Sequence, residues 1–179
     1  MKRRNYLHYF IELIVFVGFL VLGITVLTYS IYKIAFDHVV TGSIVLAMGV
    51  LQMTDYFTWK FARRIRSIQT LIAALVAIAL GFVFIFVNME LNVLYILWGS
   101  FSIAFALAKI ATGATNLSYQ PLICTVNIIL AITEMVFSIL LIIRTDRFVD
   151  AFIMFLAVAM IIEAVTLFIE FIIHRYQQI

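Results

Sequence analysis

Apolar residues run through this chain in stretches of about twenty, and short clusters of charge interrupt them. A hydrocarbon core of roughly 30 Å takes about 20 helical residues at 1.5 Å each. Six such spans fit, at 8–32, 37–58, 67–88, 91–111, 121–143 and 147–173. The runs are apolar on all sides and do not alternate, which excludes the in-out pattern of a transmembrane barrel. Backbone groups without water must bond within their own segment, so helices are expected. The expected fold is therefore an all-α membrane protein with six transmembrane helices, forming a single membrane domain over residues 1–179.

A slower rhythm overlies the spans. Down the second span of each consecutive pair stand Gly42, Val45, Gly49 and Gln52, then Gly99, Ser102, Ala106 and Lys109, then Leu156, Ala159, Glu163 and Thr166. The shift is 57 residues each time. The first spans align as well: Glu12, Phe16, Phe19 and Gly23 with Thr70, Ala74, Ala77 and Gly81, then with Asn127, Ala131, Glu134 and Ser138. Spacings of three and four keep each set on one helix face. Small residues there let helices approach closely, as on the Ala73, Ala77, Gly81 ladder. The expectation is three tandem helical hairpins, at about 8–58, 67–111 and 121–173, arranged around a pseudo-threefold axis.

Composition agrees. Of 179 residues, 66% are hydrophobic and 12% charged, with a mean hydropathy of +1.19; soluble domains carry about twice that charge. The net charge of +3 is not a nucleic-acid signal, because the cations sit where insertion places them. Lys2, Arg3, Arg4, Lys60, Arg63, Arg64, Arg66, Lys109 and Arg175 fall on one side of a six-span chain, and Lys33, Arg144 and Arg147 on the other. The positive-inside rule then sets both termini in the cytoplasm. The basic start resembles a signal sequence, but no small-x-small cleavage pattern follows the first span, which reads as a retained anchor. The single cysteine, Cys124, excludes an intramolecular disulfide and any cysteine-based metal site. His8, His38 and His174 are too scattered to form a metal site, and no cofactor is expected. Most of the tyrosines and Trp59 fall near span ends, as in an interfacial aromatic belt.

The run FLVLGITVL with its counterpart AIALGFVFI, and TGSIVLAMGVLQM with WGSFSIAFALAKI, resemble the repeats of the HdeD-like acid-resistance membrane proteins. These are six-span bacterial proteins built of a short hairpin repeat. The resemblance covers nearly the whole chain. Where that family commonly has proline after the first helix of a repeat, this chain has Phe36-Asp37, Asn88-Met89-Glu90 and Thr145-Asp146. The resemblance implies a multi-pass protein of the bacterial inner (plasma) membrane, linked to stress and to acid stress in particular. It supplies no catalytic residues.

Ionisable groups inside a membrane are where function is sought first. Glu134 and Glu163 stand near the bilayer middle, where the first two repeats hold Phe19 and Ala77, and Gly49 and Ala106. Together with Asn127 and Lys109 they form a candidate polar path for protons or small solutes. Depth counting from the span ends puts Lys109 about six residues shallower than Glu163, near the cytoplasmic interface with Glu12, Asp55 and Glu170; there a lysine snorkels, and the acids snorkel or pair with the basic loops. Gln52, Thr70 and Thr166 read as hydrogen-bonding residues that pin helices together. Asp37-His38 reads as an ordinary solvated turn, with a titrating external pair as the alternative. No Ser/His/Asp set, phosphate loop or paired aspartates appear, so no enzymatic activity is expected. The sequence favours an accessory or structural role in stress tolerance, acting through the lipid bilayer, a membrane-protein partner or self-association. A small proton-coupled transporter or channel using Glu134 and Glu163 is the alternative.

Overall fold

The computed structural model describes residues 2–33, 37–61, 68–118, 121–143 and 145–176. They form six helices with no strand among them: α1 (Lys2–Ile31), α2 (His38–Phe61), α3 (Ile68–Phe86), α4 (Leu91–Asn116), α5 (Pro121–Ile143) and α6 (Thr145–Tyr176). Five of the six, all but α3, are long and apolar enough to cross a membrane; the apolar stretch described in α3, Leu71–Phe86, is shorter. The protein is an all-helical membrane protein.

The helix ends follow from local chemistry. Asp37 opens α2: its Oδ1 accepts a hydrogen bond from the Val40 N–H at 2.8 Å, and its carbonyl accepts one from the Thr41 N–H. That is an N-cap, which satisfies a donor the helix cannot pair internally. The solvated-turn reading of Asp37 thus becomes a capping one. Lys33 ends α1 with φ 51°, a left-handed conformation more often given to glycine. Pro121 begins α5, where its missing N–H costs nothing. Helix α4 runs on past the predicted end at 111 to Asn116. In its last turns the Thr112 and Thr115 hydroxyls are satisfied along the helix, on the carbonyls of Ala108 and Thr112.

Each helix packs on its neighbours in chain order and α6 returns to α1, so the six close a ring. The seams alternate. Packing is most extensive between α2 and α3, α1 and α6, and α4 and α5, and less so between α1 and α2, α3 and α4, and α5 and α6. At the tight seams backbone meets backbone. A Cβ on Gly42 would stand 2.9 Å from the Gly81 carbonyl oxygen, one on Gly99 would stand 3.2 Å from the Ser138 carbonyl oxygen, and one on Gly23 would stand 3.1 Å from the Ala157 carbonyl oxygen.

The buried interior divides along the bundle. The half away from the chain termini is filled by Val26, Val45, Phe84, Leu94, Trp98, Leu141, Phe152 and their neighbours. Trp98 lies edge-to-face on Phe152, ring centroids 5.3 Å apart, a geometry aromatic quadrupoles favour. Tyr95 is buried in this cluster, whereas Tyr32 is exposed. Among the described residues, the half nearer the termini has a smaller apolar cluster around Val15, Phe19 and Ala164. Its buried positions also include Gln52, Asp55 and Glu134.

Candidate functional site

Three of the four candidate residues meet in that second half. Lys109 on α4 donates a hydrogen bond from Nζ to Oε2 of Glu163 on α6 at 3.1 Å. The same ammonium lies 3.6 Å from Oε2 of Glu134 on α5. It also sits over the Phe105 ring, 4.5 Å from the centroid, where the ring's negative face attracts a cation. One ammonium thus ties together three helices.

The helix register explains the meeting. Lys109 and Glu163 each stand eighteen positions beyond the first residue of their helices (91 to 109 and 145 to 163), a rise of about 27 Å. They are level. The six-residue offset and the snorkelling expected of Lys109 are corrected by the length of α4. Seven residues follow Lys109 before α4 ends at Asn116, about 10 Å of helix, so the lysine is not at the span edge. On α5, Glu134 faces the ring interior with Ala131, Ser138 and Leu141, all buried.

Access differs among the three. The Glu134 side chain is 3% exposed, Lys109 21% and Glu163 27%. The fourth candidate, Asn127, is half-buried on the Glu134 face of α5 but takes no part in the contacts of the ammonium. The carboxylates at the other end of the depth scale, Glu12 and Asp55, lie nearer the termini; Asp55 is buried and not snorkelling, while the side chain of Glu170 lies outside those described.

The expected pinning residues behave differently. The Thr166 hydroxyl donates to the Ile162 carbonyl of its own helix, as the hydroxyls of Thr25, Ser43, Ser100, Thr125 and Ser138 do one turn back. Hydroxyls satisfied this way add no tie to a second helix. Gln52 is buried, and among the described residues its Oε1 meets no hydrogen-bond donor, so that oxygen pins no described helix. The side chain of Thr70 lies outside those described, as do those of His8, Trp59, Lys60 and His174. Residues Arg63, Arg64, Arg66 and Arg144 also lie outside the described residues. Among the described residues no group of three or more metal-ligating side chains occurs. Cys124 is buried as a free thiol.

Comparison with family models, with characterised proteins and with solved structures finds no match to this chain. The site therefore has to be read from its own geometry.

Proposed function

We propose that this chain is a small proton-coupled transporter or channel whose working part is the Lys109, Glu134 and Glu163 cluster. The observation that carries the reading is the single ammonium shared by two carboxylates on two other helices. A structural tie needs one partner for a lysine, and apolar packing of similar volume usually serves stability as well or better. A second carboxylate, nearly sealed from solvent, is surplus to that purpose. Charge balance in the trio calls for one further positive charge, and a proton supplies it. Intramembrane acid groups in proton pathways have this character.

The threefold hairpin architecture is part of the proposal. Three seams support it: Gly42 on Gly81, Gly99 on Ser138, and Ala157 on Gly23. Each joins the second helix of one hairpin to the first helix of the next, at positions within one residue of those the 57-residue shift relates. The repeat-aligned faces are also the buried ones, from Gly42, Val45, Gly49 and Gln52 to Gly99, Ser102 and Ala106. Both termini lie in the cytoplasm in this reading. With Lys109 drawn into the bundle, eight cations remain on the terminal side against three on the other, and the positive-inside rule still gives that orientation. The cluster then belongs to the cytoplasmic half of a bacterial inner membrane protein of HdeD-like type, as the repeated motifs suggest.

The second reading, an accessory or structural protein in stress tolerance, is favoured by one feature. The outer half of the ring is filled by the core around Trp98 and Phe152, which a solute would have to displace. Proton flux into liposomes holding the purified protein separates the two. Transport predicts flux above that of empty liposomes, with Glu134→Gln and Glu163→Gln each reducing it at least tenfold. Flux no higher than in empty liposomes removes the transport reading and leaves the structural one.

A further inference from the structure

We infer that the extra proton of the cluster resides on Glu134, whose side chain is a neutral carboxylic acid sealed in the bundle beside a fixed Lys109–Glu163 ion pair. Calling that proton cargo rests on the transport reading; where it sits is a property of the cluster itself.

The charge count gives the trio one proton and two places for it. Helix α5 packs on α4 and α6. Among the described residues, the charged groups those two helices bring to Glu134 are Lys109 and Glu163. One ammonium neutralises one carboxylate. With both glutamates ionised the trio carries a net negative charge inside a membrane protein. With one of them protonated it is neutral, the cheaper state where water does not solvate charge.

Three features separate the two carboxyls. The ammonium's 3.1 Å contact to Glu163 is a charge-assisted hydrogen bond, whereas its 3.6 Å contact to Glu134 is longer than one. The Glu134 side chain is 3% exposed and that of Glu163 27%, and an ion that has lost its water needs hydrogen bonds in exchange. The hydroxyl on the same buried face of α5 is already spent: Ser138 donates to the Glu134 backbone carbonyl at 2.7 Å. The other buried neighbours on that face, Ala131 and Leu141, offer an anion nothing. Glu163 has the bond and the opening, so it keeps the charge. Glu134 has neither and keeps the proton.

The arrangement also lets the proton go. The anion left by its release has an ammonium 3.6 Å away, so no isolated charge is stranded. The Glu163 hydrogen bond and the Phe105 ring hold that ammonium in place. One proton moves: the O–H bond of Glu134 breaks, its electron pair stays on the carboxylate, and the proton passes to water by way of Glu163, the more open carboxyl. Lys109 and Glu163 remain partners throughout. Glu134 thus binds the proton, and the pair beside it sets the charge against which it is bound.

Infrared spectroscopy reads this proton directly, because a neutral carboxylic acid has a C=O stretch that a carboxylate lacks. The protein is made with glutamate whose carboxyl carbons carry a heavy isotope, which separates its bands from those of aspartate and lipid esters. It is held in lipid nanodiscs at pH 8. The expected result is a labelled neutral-acid band. Glu134→Asp moves the proton to an unlabelled side chain and removes that band, and Glu163→Asp leaves it in place. Either variant carries the test if the other fails to fold. No labelled neutral-acid band in the parent protein, a band unchanged by Glu134→Asp, or a band lost in Glu163→Asp overturns the inference. The Glu134 band without liposome flux keeps the resident proton and removes the transport reading; flux without the band does the reverse.

Discussion

At the scale of single residues, the balance of the cluster decides what each substitution does. Lys109→Met leaves two carboxylates facing each other without their cation, one of them nearly sealed from solvent. Breaking a buried ion pair from one side costs about 3–5 kcal/mol, so this variant is expected to unfold in detergent at markedly lower denaturant than the parent. Lys109→Met with Glu134→Gln and Glu163→Gln together restores most of that loss, because no charge is left uncompensated. A triple variant as unstable as the single one would mean that Lys109 matters through its packing on Phe105. Asp37→Ala removes the N-cap of α2 and is expected to cost about 0.5–2 kcal/mol, read in the same denaturation. The candidate residues themselves are legible in the sequence, because Glu134 and Glu163 are acids in apolar runs, at positions whose counterparts 57 residues earlier, Ala77 and Ala106, are small and apolar. Their partner was harder to see. The level of Lys109 depends on where α4 ends, and polar, glycine-containing Ala111–Asn116 reads as a loop until the Thr112 and Thr115 hydroxyls are found bonded along the helix. The fourth candidate, Asn127, shares the face of Glu134 but stands two turns away, beyond the reach of the ammonium's contacts.

At the scale of helix pairs, the seams differ in what they tolerate. A Cβ on Gly49 would lie 2.8 Å from the Ile78 nitrogen and 2.9 Å from the Ala74 carbonyl oxygen, both backbone atoms that cannot turn aside. A Cβ on Gly18 would lie 2.5 Å from a Leu51 methyl, the far end of a flexible side chain. Gly49→Ala is therefore expected to push α2 from α3 and lower stability by about 1–3 kcal/mol, the range for overpacking, while Gly18→Ala is absorbed by a rotamer change in Leu51. Comparing the two in one denaturation series checks the assignment; equal losses would mean that the α2–α3 seam is no tighter than α1–α2. The pairing itself is only half visible in sequence. The 57-residue shift names the faces that are buried, because small residues recur on them at helical spacing. It does not say whether a face packs within its hairpin or on the next one. That depends on how close two backbones come, and the glycine contacts answer in favour of the next.

At the scale of the whole molecule, the ring is polarised. Among the described residues, its far half is an apolar plug around Trp98 and Phe152, and its near half holds the buried carboxylates Asp55 and Glu134 and the Lys109 cluster. If the termini are cytoplasmic, protons reach Glu163 from the cytoplasm without crossing the plug, and the plug is what a transport cycle has to open. The orientation can be tested apart from any activity, using two exposed turn residues at opposite ends of α4. Glu90 lies in the turn before α4 and Ser118 in the turn after it. In a Cys124→Ala background, Glu90→Cys is expected to react with a membrane-impermeant thiol reagent on intact cells, and Ser118→Cys only after the membrane is opened. The reverse pattern would put the ionisable half outside and make Glu163 a group exposed to external acid. The cluster would then exchange protons with the surroundings, whereas the proposed orientation has it exchange them with the cytoplasm. The same three side chains would serve either arrangement, so the labelling experiment, and not the cluster's geometry, decides which compartment this protein senses.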